Sequence, residues 1–295
     1  MGWSGYHRGV ALLRQSARFL LLCSALQWVS AADVSPALMD RAFNRLYNTD
    51  FPGAFVLLDE YVNSKPDDPL GYALRSSGYL FSELDRLGIL EGEFFVDDKR
   101  IAEKKGLKPD PAVRVKLLQA IQDAQSRAVK QIAAQPDDQN ALYSMAATNG
   151  VLLDYTALVE KRQISSLSSA RTANEYAQRV LKLNPKFYDA YLTTGLTEYL
   201  VASLPFYVKW FVHFDDVKGS KVQAIQNLRL VATSGRYLKP FAKILLAIVS
   251  AREKHPEEAR RLLAELAIEF PENKLIHKEL DKFTLHLEGP RNSGR

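Results

Sequence analysis

The feature that most constrains this chain is an alanine that recurs at one fixed distance before a proline. Alanine stands twelve residues before proline four times: Ala54 before Pro66, Ala124 before Pro136, Ala173 before Pro185 and Ala259 before Pro271. The residue four positions after each alanine is Leu or Ala, and it would lie on the same face of a helix. Because a small side chain lets a second helix approach closely, this spacing predicts a series of packed helix pairs.

Each of these prolines lies at a break between two stretches of helical periodicity. Proline pushes the preceding residue out of the helical region, and an Asp or Asn that follows can accept the free N–H groups of the next helix. The four breaks are Lys65–Asp68, Gln135–Asp138, Asn184–Lys186 and Phe270–Asn273. A fifth unit contains Ala224 and has Arg236 in place of the proline, so Gly235 is predicted to end that helix in a left-handed conformation.

The helices that precede the alanine-bearing helices complete five predicted pairs. Periodicity predicts these first helices at Leu38–Tyr47, Leu70–Leu87, Ala141–Leu153, Asp189–Leu200 and Pro240–Lys254. Three pairs have long connections between first and second helix, at Gly88–Pro111, Asp154–Ala170 and Ser203–Ser220. A last helix at Asn273–Leu287, whose apolar side runs from Leu275 to Phe283, is predicted to cover the final pair.

Two segments, Ser35–Pro66 and Pro240–Pro271, match the length of a known helical repeat, and a large residue lies six positions after three of the prolines: Tyr72, Leu142 and Tyr191. The chain resembles the tetratricopeptide repeat (TPR) family, most closely in "EEARRLLAELAIEFPEN" and "YAQRVLKLNPKFYDAY". This resemblance implies an all-α fold, a right-handed solenoid of about five TPR-like helical hairpins with inserted loops and a C-terminal capping helix. It implies a binding role, because such repeats occur in scaffolds and assembly factors alike.

The first 31 residues have the pattern of a secretory signal peptide. Three arginines precede an apolar run at Phe19–Val29, and small residues follow at Val29-Ser30-Ala31. We expect export to the periplasm or cell envelope of a bacterium, with cleavage after Ala31 or Ala32, and a retained membrane anchor is the alternative. Residues 32–287 are predicted to form one TPR-like domain, followed by a mobile tail at 288–295.

Cysteine and charge exclude several classes of function. Cys23 is the only cysteine and lies within the predicted signal, so a processed chain has no disulfide, catalytic thiol or cysteine-ligated metal. The formal net charge is +5, and three of these charges are the arginines of the predicted signal. The excess that is left is too small and too scattered for a nucleic-acid partner.

No motif for catalysis or for a cofactor is present. The chain has no glycine loop that cradles phosphates, no nucleophile elbow and no His-Glu-x-x-His helix, so we predict a non-enzyme without a cofactor. His213, Asp215 and Asp216 come closest to a metal site, but no second group of ligands follows at a suitable spacing. A solvated acidic loop is the preferred interpretation of these three residues.

Two sets of residues are candidates for binding a partner. The TPR resemblance implies that first helices line a concave groove, presenting Tyr72, Arg75, Tyr79, Asn149, Tyr191, Thr194 and Glu198. Arg75 and Asn149 could hold a peptide backbone or carboxylate there. The alternative is that the insertions cover the groove and make these residues internal hydrogen-bond partners.

The second set lies in the aromatic segment at residues 204–214, within the third insertion. Its candidate contacts are Phe206, Tyr207, Trp210 and Phe211. Aromatic side chains dominate protein interfaces, but they could equally fold back as added core. The predicted function is therefore a non-catalytic scaffold or adaptor of the bacterial envelope that binds a peptide or protein. The alternative is a membrane-associated module or a small-ligand-binding protein that uses residues 204–214.

Overall fold

A computed structural model describes residues 31–90, 108–203, 217 and 219–288. The described residues from Leu38 onward form one compact unit. The described residues form eleven α-helices and no strand: α1 Ala31–Tyr47, α2 Phe51–Ser64, α3 Pro69–Arg86, α4 Pro111–Ala134, α5 Gln139–Asp154, α6 Gln163–Leu183, α7 Ala190–Ser203, α8 Lys221–Ser234, α9 Lys239–Arg252, α10 Pro256–Glu269 and α11 Lys274–Glu288. The prediction of an all-α fold is confirmed. No helix in these ranges combines the length and the apolar character that crossing a membrane requires.

The helices begin where the sequence places capping residues. Three of the predicted caps accept backbone N–H groups of the next helix: Asp68 from Leu70, Asp138 from Ala141 and Asn273 from Leu275 and Ile276. Such a side chain supplies an acceptor for N–H groups that have no partner within the helix. The breaks after Pro66, Pro136 and Pro271 are thus both a stop and a start, as predicted.

Three of the first helices, α1, α3 and α9, end with a left-handed residue. Thr49, Gly88 and Lys254 follow α1, α3 and α9 with φ angles of 61°, 62° and 64°. The next residue in each case donates its N–H to a carbonyl five positions back: Asp50 to Arg45, Ile89 to Leu84 and His255 to Ser250. This is the Schellman cap, which needs one left-handed residue and favours glycine there.

Thr49 stands where glycine would be relaxed, and we predict that Thr49→Gly raises the free energy of unfolding by about 1 kcal/mol. A β-branched residue at positive φ is strained, and glycine removes the clash between Cβ and the carbonyl. Thr49→Ala is the control, because it removes the threonine side chain but keeps a Cβ. Urea unfolding followed by helical circular dichroism measures both variants. A Thr49→Gly protein no more stable than Thr49→Ala would contradict this interpretation.

Helices that follow one another along the chain pack together from α2 onward. The pairs α3–α4, α5–α6, α7–α8 and α9–α10 are in contact, and each second helix also packs on the next first helix. The recurrent alanines lie inside these contacts with at most 1% of their surface exposed: Ala54, Ala124, Ala173, Ala224 and Ala259. The α11 helix packs on α10 with Ile276 buried, as predicted for the last helix.

The α1 helix packs differently from the other first helices. It makes few close backbone contacts with α2. Its apolar side shares a core with Leu57 and Leu58 of α2 and Leu74 of α3, and it also packs on residues far along the chain. There the Phe43 and Tyr237 rings stack at 5.1 Å and the Tyr47 and Phe270 rings lie 5.2 Å apart. Residues of the first and last helices therefore share one core.

Two local expectations were wrong. The second insertion, Asp154–Ala170, is largely helical, because α5 continues into a π-helical turn at Tyr155–Val159 and α6 begins at Gln163. Tyr155 and Val159 lie four positions apart and are both buried, which explains the continuation. Gly235 has φ of −62° and is not left-handed. Glycine fits there because a Cβ would lie 2.7 Å from the Asp189 carboxylate.

Candidate functional site

The candidate residues on α3 are engaged between helices. The Arg127 guanidinium of α4 lies 3.9 Å from the centroid of the Tyr72 ring, and the Tyr72 hydroxyl donates to the Pro66 carbonyl at 3.1 Å. Tyr72 is 8% exposed. Its ring and its hydroxyl therefore connect α3 to the α4 helix and to the turn that precedes α3.

Arg75 and Tyr79 face the preceding helix, α2. The Arg75 Nη2 atom lies 3.0 Å from Asp59 Oδ1, and the guanidinium lies 5.9 Å from the Tyr79 ring centroid. Tyr79 stacks on Phe55 with ring centroids 4.5 Å apart. These contacts join α2 to α3, while the buried Arg75 Nε atom has no hydrogen-bond partner in the part of the chain that the structure describes.

Asn149 and Thr194 also make internal hydrogen bonds. The Asn149 amide donates to the Met145 carbonyl at 2.8 Å, within α5. The Thr194 hydroxyl donates to the Tyr191 carbonyl and accepts from the Asn227 amide, both at 3.2 Å. Both side chains are buried, and Tyr191 is half-buried against the core formed by α7, α8 and α9.

Glu198 caps the helix that follows the third insertion. Its Oε2 atom accepts the Ser220 N–H at 2.8 Å, directly before α8. Glu83 on α3 does the same after the first insertion, accepting the Asp110 N–H at 2.8 Å while Arg86 donates two bonds to its carboxylate. In both pairs, an acidic side chain near the end of the first helix holds the residue before the second helix.

Phe206, Tyr207, Trp210 and Phe211 lie outside the described residues, as do His213, Asp215 and Asp216. Within the described part of the chain, no group of three or more His, Cys, Asp or Glu side chains could hold a metal ion. A shallow polar cleft of about 370 Å³ lies between the turns that precede α3 and α5, lined by Lys65, Pro66, Asp67, Asp68, Gln131, Asp138 and Asn140. Pockets that bind small molecules are mostly apolar and enclosed, so this cleft does not suit one.

A buried carboxylate joins α7 to α9. Asp189 accepts three backbone N–H groups, from Arg236 at 2.9 Å, Tyr237 at 3.0 Å and Leu238 at 3.3 Å. Burial raises the pKa of Asp189, and the three N–H donors partly oppose this. Burial also raises the pKa of Tyr237 to about 12. Asp189 thus holds the turn before α9, where the sequence has no proline.

Asp154 ends α5 at the start of the π-helical turn. Desolvation raises its pKa to about 7, although the residue is only half-buried, and no hydrogen bond or ion pair is formed by its side chain within the described residues. The next residue, Tyr155, is 1% exposed, and its hydroxyl has no partner there. Burial and the nearby Glu83 charge raise the pKa of Tyr155 to about 12. Both groups lie at the start of the second insertion, and burial raises the pKa of each.

We predict that Asp154→Asn stabilises the protein at pH 8 by about 2 kcal/mol. A raised pKa in the folded state means that the folded protein binds this proton more tightly than the unfolded chain. The protonated Asp154 carboxyl makes its full contribution to the free energy of unfolding below pH 4, and this contribution is lost as the pH rises to about 7. The asparagine amide of the variant does not ionise. The free energy of unfolding of the variant should therefore fall less between pH 4 and pH 8 than that of the unaltered protein.

The free energy of unfolding at pH 4.5 and pH 8 tests this prediction. Asp137→Asn, at an exposed turn, controls for the loss of one negative charge. A variant whose stability follows the same pH profile as the unaltered protein would show that Asp154 is not desolvated.

Sequence reasoning missed Asp154, Glu83 and Asp189 as key residues. Each is an acidic residue with an apolar or aromatic neighbour in the sequence, as in Leu152-Leu153-Asp154 and Tyr188-Asp189-Ala190. An acidic residue on the apolar side of a helical pattern was the available signal, because such a group must be paired or neutral when it is buried.

The comparisons with known proteins give no indication of the function, so its interpretation depends on the geometry described above. A scan against protein-family models finds no family that matches the chain, and a search of curated proteins finds no match either.

Proposed function

We propose that this protein is a non-catalytic scaffold or adaptor of the bacterial cell envelope, built as a right-handed solenoid of about five TPR-like hairpins. The observation that carries the proposal is the ordered contact of four helix pairs, α3–α4, α5–α6, α7–α8 and α9–α10, with a buried alanine at the same place in each second helix and in α2. Helix pairs that bury alanines in phase make a framework that can display surfaces and insertions to a partner. The absence of a reaction motif in the sequence agrees with a binding role.

We propose further that the partner, a peptide or protein, binds at the edge that carries the insertions. What supports this choice over the groove is that Tyr72, Arg75, Tyr79, Thr194 and Glu198 already have partners within the protein. Breaking those contacts would leave buried polar atoms unpaired, and that costs free energy. Aromatic anchors are common in interfaces, and residues 204–214 of the third insertion contain five aromatic residues, four of which are the candidate contacts.

Export through the N-terminal signal is part of the same proposal. Its support is the sequence pattern of residues 1–31, with arginines, an apolar run and small residues in order. The N-terminal sequence of the protein isolated from a periplasmic fraction tests it. A chain that begins near Ala32 agrees with the proposal, whereas an intact N-terminus in the membrane fraction would favour the retained anchor.

Capture of partners from an envelope extract tests the binding role. The full chain should retain a reproducible protein, and the double variant Trp210→Ala and Phe211→Ala should lose at least about tenfold of it, because aromatic anchors carry much of an interface's free energy. Ile268→Ala is the matched control, since Ile268 is an 84% exposed apolar residue on α10 and is not part of residues 204–214. Circular dichroism should show that all three proteins are equally helical.

Two results would contradict the proposal. Equal capture by the aromatic variant and the control would move the site away from residues 204–214. No reproducible partner for the unaltered protein, in extracts where a known envelope complex is captured, would count against the scaffold role itself.

A further inference from the structure

The α1 helix rests on a surface formed by residues about 190 positions or more further along the chain. We call this surface the α1 dock and define it by Arg236, Tyr237, Phe270, Glu272 and Asn273. Three hydrogen bonds cross it: Tyr47 Oη donates to the Tyr237 carbonyl at 2.9 Å, Asn273 Nδ2 donates to the Tyr47 carbonyl at 2.6 Å, and the Glu272 N–H donates to Asn48 Oδ1 at 3.2 Å. Arg236 and Asp40 form an ion pair at 3.4 Å.

The α1 dock is suited to one kind of binding element, an amphipathic helix. On α1 the buried residues are Leu38, Met39, Ala42, Phe43, Leu46 and Tyr47, which make one continuous apolar side. Without such a helix, the Tyr237 and Phe270 rings would face water beside other apolar side chains of the shared core. Soluble proteins rarely leave a large apolar patch uncovered. The dock therefore fits an amphipathic helix with aromatic residues at the positions of Phe43 and Tyr47.

The link between α1 and the rest of the chain favours exchange of this helix. Only Asn48, Thr49 and Asp50 connect α1 to α2, and Thr49 holds a positive φ that suits glycine better. The two helices make few close backbone contacts with each other. Opening the turn therefore relieves strain, while every contact of α1 with the dock can be made again on an identical chain. Short strained hinges of this kind are known to invite domain swapping.

We propose that the α1 dock is an interface between copies of this chain, in which α1 of one copy exchanges with α1 of a second copy. The exchanged dimer keeps the contacts of α1 with the dock, including the Arg236–Asp40 pair, and makes them between chains, whereas the contacts of Asp50 with Arg45 across the turn are lost. The monomer and the exchanged dimer are thus in a balance set by protein concentration and by the turn at Thr49.

Cross-linking between two marked chains tests this proposal. In a Cys23→Ser background, which removes the only cysteine, one chain carries Asp40→Cys and the other carries Arg236→Cys. Both positions are about half exposed and accessible to reagent. The two chains are unfolded together, refolded at increasing concentration and treated with a short bismaleimide. The ratio of linked dimer to monomer should rise about tenfold for each tenfold increase in concentration, as mass action requires.

Two further proteins complete the test. A chain with both Asp40→Cys and Arg236→Cys should link within itself when dilute, which establishes that the two positions are neighbours. Adding Thr49→Gly to both marked chains should lower the ratio of dimer to monomer by about tenfold, because the relaxed turn favours the closed monomer.

Each other outcome overturns the proposal. The doubly marked chain could link within itself while mixed chains never link, which would show that α1 does not exchange. Dimers without a 40–236 link would show association through another face. Failure of the dilute doubly marked chain to link would show that α1 does not rest on the dock.

Discussion

Asp189→Ala should lower the free energy of unfolding by about 3 kcal/mol. The carboxylate accepts the N–H groups of Arg236, Tyr237 and Leu238, and the side chain is 5% exposed. Alanine would leave three backbone donors without an acceptor beside the aromatic rings that hold α1. An unsatisfied buried donor costs about 1–3 kcal/mol, and water entering the space left by the carboxylate reduces the total.

Two control variants separate the backbone acceptor from the charge. Asp189→Asn keeps one acceptor oxygen and should lose about 1 kcal/mol. Asp40→Ala removes the partner of Arg236 on the other side of the same turn, where both side chains are about half exposed. An exposed ion pair is worth less than about 1 kcal/mol, so Asp40→Ala should have a small effect. Urea unfolding that gives Asp189→Ala and Asp40→Ala the same stability would show that Asp189 does not hold the turn.

The parts of the fold that depend on neighbouring residues were predictable. Asp68, Asp138 and Asn273 cap helices because a cap bonds residues two or three positions away, and proline acts on the residue before it. The buried alanines followed from a spacing that repeats. The helix bounds are correspondingly close to those predicted, for example Lys274–Glu288 against Asn273–Leu287.

The parts that depend on distant contacts were not predictable from pattern. No local signal places Phe43 against Tyr237, because the two residues are nearly the whole domain apart in sequence. The conformation of Gly235 was misjudged for the same reason, since its constraint is the Asp189 carboxylate from another helix.

The same difference between local and distant contacts applies to the candidate site. The sequence indicates that Tyr72, Arg75 and Thr194 lie on first helices, but not which neighbour each side chain meets. Arg127, Asp59 and Asn227 supply those partners from other helices. The pattern of residue types therefore predicted a binding groove. Only the packing of the helices shows that these side chains contact residues of other helices.

The central claim is that helix pairs stack through alanines at equivalent places in the second helices. Ala124 is completely buried in a cluster with Val62, Tyr72 and Ala73, where α2, α3 and α4 meet. Leucine at this position would push the helices apart, whereas leucine at Ala133, which is exposed on the same helix, would meet only solvent.

The free energies of unfolding of Ala124→Leu and Ala133→Leu therefore test the account most directly. We expect a loss of about 3 kcal/mol for Ala124→Leu, because overpacking a tight contact forces side chains and backbone to shift. Ala133→Leu should change stability by no more than about 0.5 kcal/mol. An Ala124→Leu protein as stable as Ala133→Leu would mean that no close helix contact exists at Ala124, and the stacked arrangement would be wrong.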